Sequence, residues 1–247
     1  MLAPLLADPS RAAVLTDFDG TLSPVVADPA AAAGLPGTVE VLQALTARYA
    51  VVAVVSGRPV AFLRARLGPG LRLSGLYGLE EVDGAGQVVA AASATAWAPV
   101  VAGAVDRAEA DLDGLVEPKG LSMTLHFRTA PERQAEVRAW AAAEAARSGL
   151  VVRSAKSSVE LHPPVEADKG TVVTAAVAGL SAACFLGDDV GDLPAFDALD
   201  RLAAGGLHAV RIGVRTEEAP PELLERADLV VDGPEGALAV LRHLATA

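Results

Sequence analysis

The sequence predicts an α/β protein, with a parallel-sheet core into which a smaller α+β unit is inserted. Three observations predict it. Early in the chain, apolar runs such as "AAVLTDF" and "AVVAVVSG" alternate with stretches of helical spacing, the pattern of βαβ units. From Leu121 to Phe127 the pattern becomes a strict alternation, as in a strand with only one covered face. Beyond His162 the first pattern returns. One sheet is interrupted and then completed, and the expected division is core 1–95, cap 96–161 and core 162–247.

Taken in order, "AAVLTDF" is a strand, "PGTVEVLQALTARY" a helix, "AVVAVVSG" a second strand and "PVAFLRARLG" a helix closed by its glycine. Both runs are apolar on consecutive residues, which suits parallel strands covered on two faces. "LRLSGLYGLEEVDGAGQVVAA" reads as a strand and a hairpin turning at "DGAG". In the insert, "APVVAGAVDRAEADLDG" is a helix, "LVEPKGLSMTLHFR" two strands, "PERQAEVRAWAAAEAARSG" a long helix and "LVVRSAKSSVELHP" two more strands. Leu121, Met123, Leu125 and Phe127 face one way, and Ser122, Thr124, His126 and Arg128 line a bare opposite face. The core then resumes with "DKGTVVTAAVAGL" as a helix, "AACFLGDD" as a strand, "VGDLPAFDALDRLA" as a helix, "LHAVRIGV" as a strand and "EGALAVLRHLAT" as the last helix.

Composition excludes several classes. Of 247 residues 52% are apolar and only 4% aromatic, as in a globular chain rather than a disordered or fibrous one. No apolar run is long enough to cross a bilayer. "MLAPLLADPSRAAV" lacks the pattern of a secretory signal, so a cytoplasmic protein is expected. The single cysteine, Cys184, rules out a disulfide framework and a thiolate zinc site, and reads as a small buried hydrophobe. A net charge of -11 argues against nucleic acid or anionic lipid as partner. An anionic substrate would need a metal ion or a few well-placed cations.

In open parallel sheets the functional crevice lies at the carboxyl ends of the strands. Four polar clusters fall there: Asp17 and Asp19 after the first strand, Ser56 after the second, Lys169 at a helix start, and Asp188, Asp189 and Asp192 after "CFLG". Carboxylates so gathered repel one another unless a cation lies among them. Mg²⁺ suits oxygen ligands and substrate phosphate. Beside it, Asp17 can act as nucleophile toward phosphorus and Asp19 as general acid and base. Gly20 lets the chain turn so that backbone amides face a phosphate. Lys169 and the Ser56 hydroxyl would serve the equatorial oxygens. Each cluster has a plainer reading: alone, "DFDGT" is an ordinary strand-ending turn and "GDDVGD" an acidic helix start. Their order and common placement carry the weight. His126, His162, His208 and His243 show no HExxH spacing, no phosphate loop of the GxxxxGK[ST] type occurs, and Trp97 and Trp140 read as packing anchors.

"DFDGTL", "VVSGR", Lys169 in "DKG" and "GDDVGD" resemble the four signature motifs of the haloacid dehalogenase superfamily, in that superfamily's order. The resemblance implies a Rossmann-like core, Asp17 as nucleophile and Asp19 as general acid/base. It also implies Mg²⁺ held by Asp17, the Asp19 carbonyl, Asp188 and, directly or through water, Asp192, with Asp189 beside them. "DFDGTLSPVVADPAAA", "VEPKGLSMTLHFR" and "SVELHPPVEADKG" are similar to segments of the trehalose-phosphate phosphatases. Tyr77 departs from that family, which usually carries a histidine there. The resemblance places Glu117, Lys119, Ser122, Glu160 and Arg58 near the sugar, and Gly20, Thr21 and Gly57 are expected substrate contacts with them. The function so implied is hydrolysis of trehalose 6-phosphate by a monomer with a lid-like cap. A phosphatase for sucrose or hexose phosphates on the same core stays open, as does a non-catalytic phospho-aspartate switch, although a switch needs neither Asp19 nor the insert.

Overall fold

The structure is a computed structural model and describes residues 1–26, 28–83, 85–154, 157–217 and 219–247. Its strands are β1 Ala12–Thr16, β2 Val51–Val55, β3 Arg72–Gly75, β4 Glu80–Val82, β5 Val88–Ala90, β6 Val116–Pro118, β7 Met123–His126, β8 Val151–Ser154, β9 Ser158–His162, β10 Ala182–Gly187, β11 His208–Arg215 and β12 Leu229–Asp232. The α-helices are α1 Ala3–Ala7, α2 Thr38–Thr46, α3 Val60–Leu67, α4 Ala92–Thr95, α5 Ala98–Asp111, α6 Gln134–Ser148, α7 Lys169–Ala176, α8 Leu193–Ala204, α9 Pro221–Arg226 and α10 Gly233–Thr246. They form two compact units, Met1–Val89 with Ala167–Ala247, and Ala90–Glu166.

In the first unit the sheet order is β12-β11-β10-β1-β2-β3-β4-β5. The strands from β12 to β3 run parallel, and β4 returns antiparallel to β3. The "DGAG" turn joins β4 to β5; Gly84 within it lies outside the described residues, and Asp83 Oδ1 accepts the amides of Ala85 and Gln87 at 2.9 and 2.8 Å.

Consecutive apolar residues serve two cores at once. Val14, Val52, Val54, Cys184 and Leu186 face one layer with Leu42, Leu63 and Leu241. Ala13, Leu15, Ala53, Val55, Ala183 and Phe185 face the other with Val173, Phe196 and Leu199. This two-sided burial is why the runs do not alternate. It also makes the thiol of Cys184 inert, since burial pushes its pKa up to about 12.

β1 lies between β2 and β10. The chain moves outward from β1 on one side and, after the insert, comes back on the other. Such a reversal opens a crevice at the strands' carboxyl ends. Register pairs Thr16 with Leu186, and the Asp17 amide donates to the Leu186 carbonyl at 2.9 Å. Asp17 and Asp188 therefore leave neighbouring strands at the same edge.

The second unit has an antiparallel sheet of order β6-β7-β9-β8. Met123, Leu125, Val159 and Leu161 on one face pack with Val101, Ala104 and Ala108 of α5 and Val137 and Ala141 of α6. The other face carries a cross-strand row, Glu117, Thr124, Glu160 and Arg153. The sequence reading of that face as bare is corrected here: Ser122 and Thr124 are buried. Strand alternation fixes which way a side chain points; whether it meets water depends on packing that alternation does not encode.

Candidate active site

The turn after β1 is built around Phe18, which is fully buried and whose carbonyl accepts the amides of Leu22 and Ser23 at 2.8 and 2.9 Å. Gly20 has φ +76°, and a Cβ there would lie 2.0 Å from Asp188 Oδ2. No side chain fits. Thr21 Oγ1 lies 3.3 Å from Asp188 Oδ1, and Thr216 Oγ1 lies 3.3 Å from Asp188 Oδ2.

Lys169 is the first residue of α7, whose start is fixed by a capping box: the Thr171 amide donates to Asp168 Oδ1 at 2.7 Å and the Asp168 amide to Thr171 Oγ1 at 3.1 Å. A Cβ on Gly170 would lie 2.3 Å from the Pro194 carbonyl oxygen, so this glycine lets α7 approach α8 closely. The buried Lys169 ammonium then reaches Asp17 Oδ1 at 2.8 Å and Asp192 Oδ1 at 2.6 Å.

Asp192 Oδ2 accepts the amides of Asp188 and Asp189 at 2.8 and 3.0 Å, and Asp189 Oδ1 accepts that of Gly191 at 2.8 Å. The plainer reading of "GDDVGD" as an acidic cap therefore holds. The acids cap the turn Val190–Asp192 and also crowd the crevice. One carboxylate oxygen from each of Asp17, Asp189 and Asp192 lies within 4.8 Å of the other two.

The crevice is short of positive charge. Burial, then the carboxylates of Asp17, Asp192 and Asp189, push Asp188 up to about 9 against the pull of Lys169. Burial, then Asp192, push Asp189 to about 6. Burial also holds Asp17 well above the usual carboxylate range, with Lys169 opposing and Asp192 and Asp189 adding to it. Burial works against the charge on Lys169, yet the surrounding aspartates keep its pKa well above that of an ordinary lysine. A set of hard oxygen donors with unmet negative charge fits a divalent cation such as Mg²⁺.

Past β2, the buried Ser56 Oγ accepts the Arg58 amide at 3.2 Å. The Arg58 guanidinium grips Asp19 with two bonds, Nε to Oδ2 at 2.7 Å and a terminal nitrogen to Oδ1 at 2.9 Å. The Tyr77 ring packs against Gly57, where a Cβ would come within 2.7 Å of it, and lies 5.9 Å from Lys169 Nζ. Leu76 and Tyr77 have φ of 51° and 57°, a left-handed conformation that costs a non-glycine residue about 1–2 kcal/mol.

In the second unit, Lys119 Nζ lies 4.0 Å from Glu117 Oε2 and 3.9 Å from Glu160 Oε2. His126 Nε2 is 2.7 Å from Glu117 Oε2. Ser122 Oγ, Thr124 Oγ1 and Glu160 Oε1 are buried without a hydrogen-bond partner among the described residues.

The family model for trehalose-phosphatase matches residues 15–222. The chain belongs to the trehalose-phosphatase family. The trehalose-phosphate phosphatase of Mycobacterium ulcerans (strain Agy99) is 35% identical over 221 residues, 84% of this chain and 55% of that protein. That of Mycobacterium leprae (strain TN) is 35% identical over 218 residues, 80% of this chain and 50% of that protein. This chain thus spans about half the length of these curated relatives. In fold it resembles the C-terminal domain of C. albicans trehalose-6-phosphate phosphatase, with a TM-score of 0.79 at 24% identity over 98% of this chain and 96% of that one.

In this trehalose-phosphatase family member, the expected core residues meet through named contacts: Asp17 with Lys169 and Asp192, Asp188 with Gly20 and Thr21, and Asp19 with Arg58. Glu117, Lys119 and Glu160 gather with one another in the second unit. Sequence reasoning does not find Thr216. Its signal is its place, directly after β11 at the same carboxyl edge. No helix among the described residues is long and apolar enough to cross a membrane.

Proposed function

We propose that this chain is a Mg²⁺-dependent phosphatase that hydrolyses trehalose 6-phosphate to trehalose and phosphate. The observation that carries the reading is Asp17, buried at the end of β1 and held by Lys169 at 2.8 Å among further aspartates. Asp17 attacks phosphorus; the new O–P bond forms as the bond to the sugar oxygen breaks, and Asp19 gives that oxygen a proton. Water then attacks the aspartyl-phosphate, Asp19 takes its proton, and Asp17 is restored. Lys169, Ser56 Oγ and the backbone amides around Gly20, Thr21 and Gly57 hold the phosphoryl oxygens, where the negative charge spreads. Mg²⁺ would be held among Asp17, Asp188, Asp189 and Asp192 with the Asp19 carbonyl, and supplies charge neutralisation.

Glu117, Lys119, Ser122 and Glu160 recognise the sugar hydroxyls. Ser122 Oγ and Glu160 Oε1, without a partner among the described residues, support this, because a buried polar atom left unpaired costs about 1–3 kcal/mol and rejects ligands that cannot pair with it. The protein acts as a cytoplasmic monomer on a small molecule, and its net charge of -11 supports the exclusion of nucleic acid as a partner.

The test is phosphate release from trehalose, sucrose and hexose phosphates, with Mg²⁺ and with EDTA. Trehalose 6-phosphate should be preferred, and EDTA should stop the reaction. Asp17→Asn should abolish turnover with an unchanged circular dichroism spectrum. Turnover by that variant would sink the nucleophile assignment, and equal rates on all sugars would sink the substrate.

A further inference from the structure

We infer that Arg58 is a positioning residue for Asp19, fixing the direction of the carboxyl group that delivers and recovers the proton. The inference rests on the phosphatase reading above, and assigns Arg58 to the proton donor instead of the sugar. The fork meets the carboxylate side-on, with Nε 2.7 Å from Oδ2 and a terminal nitrogen 2.9 Å from Oδ1. Two parallel bonds set the plane of the group as well as its place. Of the two side chains it is Asp19 that opens outward, at 35% exposure, whereas that of Arg58 is only 12% exposed.

Arg58 is itself held from three directions. Its amide donates to Ser56 Oγ at 3.2 Å, and its carbonyl accepts the Leu76 amide at 3.0 Å. Its guanidinium carbon lies 4.6 Å from the centre of the Phe62 ring. That ring meets Phe18 edge-on, with centroids 6.0 Å apart and planes at 82°. Phe18 is the residue that separates Asp17 from Asp19. Arg66 packs on the same ring at 3.6 Å and ties it to the carbonyls of Ala32 and Ala30 at 2.9 and 2.6 Å. One aromatic ring therefore references both the turn that carries the two aspartates and the arginine that grips the second. A half-exposed carboxyl on a turn would otherwise sample several rotamers, whereas proton transfer needs one direction.

The experiment compares kcat/KM for trehalose 6-phosphate, ethyl phosphate, phenyl phosphate and p-nitrophenyl phosphate. This parameter reports the step in which the leaving oxygen takes the Asp19 proton, and p-nitrophenolate departs without one. Arg58→Met should lose about 10- to 100-fold on the two alkyl phosphates, an intermediate amount on phenyl phosphate, and less than about 3-fold on p-nitrophenyl phosphate. Arg58→Lys, which keeps the charge but not the fork, should share most of that loss, and thermal melts show whether either variant is folded. In an Asp19→Asn background, Arg58→Met should add no further loss on ethyl phosphate. A loss confined to trehalose 6-phosphate would make Arg58 a sugar contact and overturn the inference. So would an equal loss on all four substrates, or a full further loss in the double variant. A wild-type chain that releases phosphate from none of them overturns the phosphatase reading and this inference together.

Discussion

Gly20 carries the tightest constraint at the scale of single residues. Its φ of +76° already disfavours any side chain, and the carboxylate of Asp188 fills the space that a Cβ would need. Gly20→Ala must push Asp188 away or unwind the turn that places Asp17 and Asp19. The expected result is a loss of at least about 100-fold in kcat/KM for phosphate release, since small misplacement of reacting groups costs that much. Urea unfolding should show a stability loss of about 1–3 kcal/mol. An active, stable Gly20→Ala would mean that the close packing of Gly20 on Asp188 is not required. The aspartates and Gly20 are legible in sequence because their positions at strand ends fix where they emerge, and Lys169 because it opens a helix. The partner of Arg58 is not: which of several nearby acids a long side chain grips depends on rotamers and on the ring beneath it, and no spacing records that.

Secondary elements are legible in proportion to how much of them is buried. β1, β2 and β10 lie in the centre of the sheet, so nearly every residue is apolar and the run declares itself. β12 is an edge strand of four residues, all partly or fully exposed, and α9 spans six residues; neither is read from the sequence, because neither shows a full period. Ion pairs add to the apolar anchors Leu223, Leu229 and Val231 in this region. Arg211 in β11 binds Asp228 through Nε–Oδ2 at 2.9 Å and a terminal nitrogen to Oδ1 at 2.7 Å, and it also pairs with Asp200 of α8. Arg226 of α9 reaches Asp197 at 2.6 Å and Asp200 at 2.9 Å. The hydrogen bonds from Arg211 hold the Asp228 carboxyl below the usual range. A carboxyl with a lowered folded pKa stabilises the protein above its unfolded pKa of about 3.9, and that contribution is lost as pH falls through the folded value. Asp228→Asn should therefore lower the Tm at pH 7, and the gap between variant and wild type should narrow as melts are taken below the unfolded pKa of about 3.9. A gap independent of pH would show that the loss comes from packing and not from the ion pair.

At the scale of the molecule, the arrangement of two units was visible as a change of period, from apolar runs to alternation and back. The burial of Ser122 and Thr124 was not visible, because burial of a polar face is a property of packing. The acidity of the chain, with a net charge of -11, was visible, and its consequence is local. Asp17, Asp188, Asp189 and Asp192 share a crevice with the ammonium of Lys169, and burial and mutual repulsion raise the pKa values of Asp17, Asp188 and Asp189. A cation that enters this crevice binds the folded state alone, since the four groups come from segments brought together only by the sheet's reversal between β1 and β10. Such a ligand stabilises by RT ln(1 + [L]/Kd), about 2.7 kcal/mol at one hundred times Kd. For a chain of this size each kcal/mol moves Tm by about 2–4 °C, so saturating Mg²⁺ should raise the melting transition by roughly 5–10 °C. EDTA should reverse the shift. Asp188→Asn or Asp189→Asn should remove most of it, whereas Asp232→Asn should keep it, because Asp232 is 82% exposed and pairs with the exposed Arg215. A melting curve that ignores Mg²⁺ would show that these carboxylates settle their charge by holding protons, and would leave the crevice without the cation that its chemistry calls for.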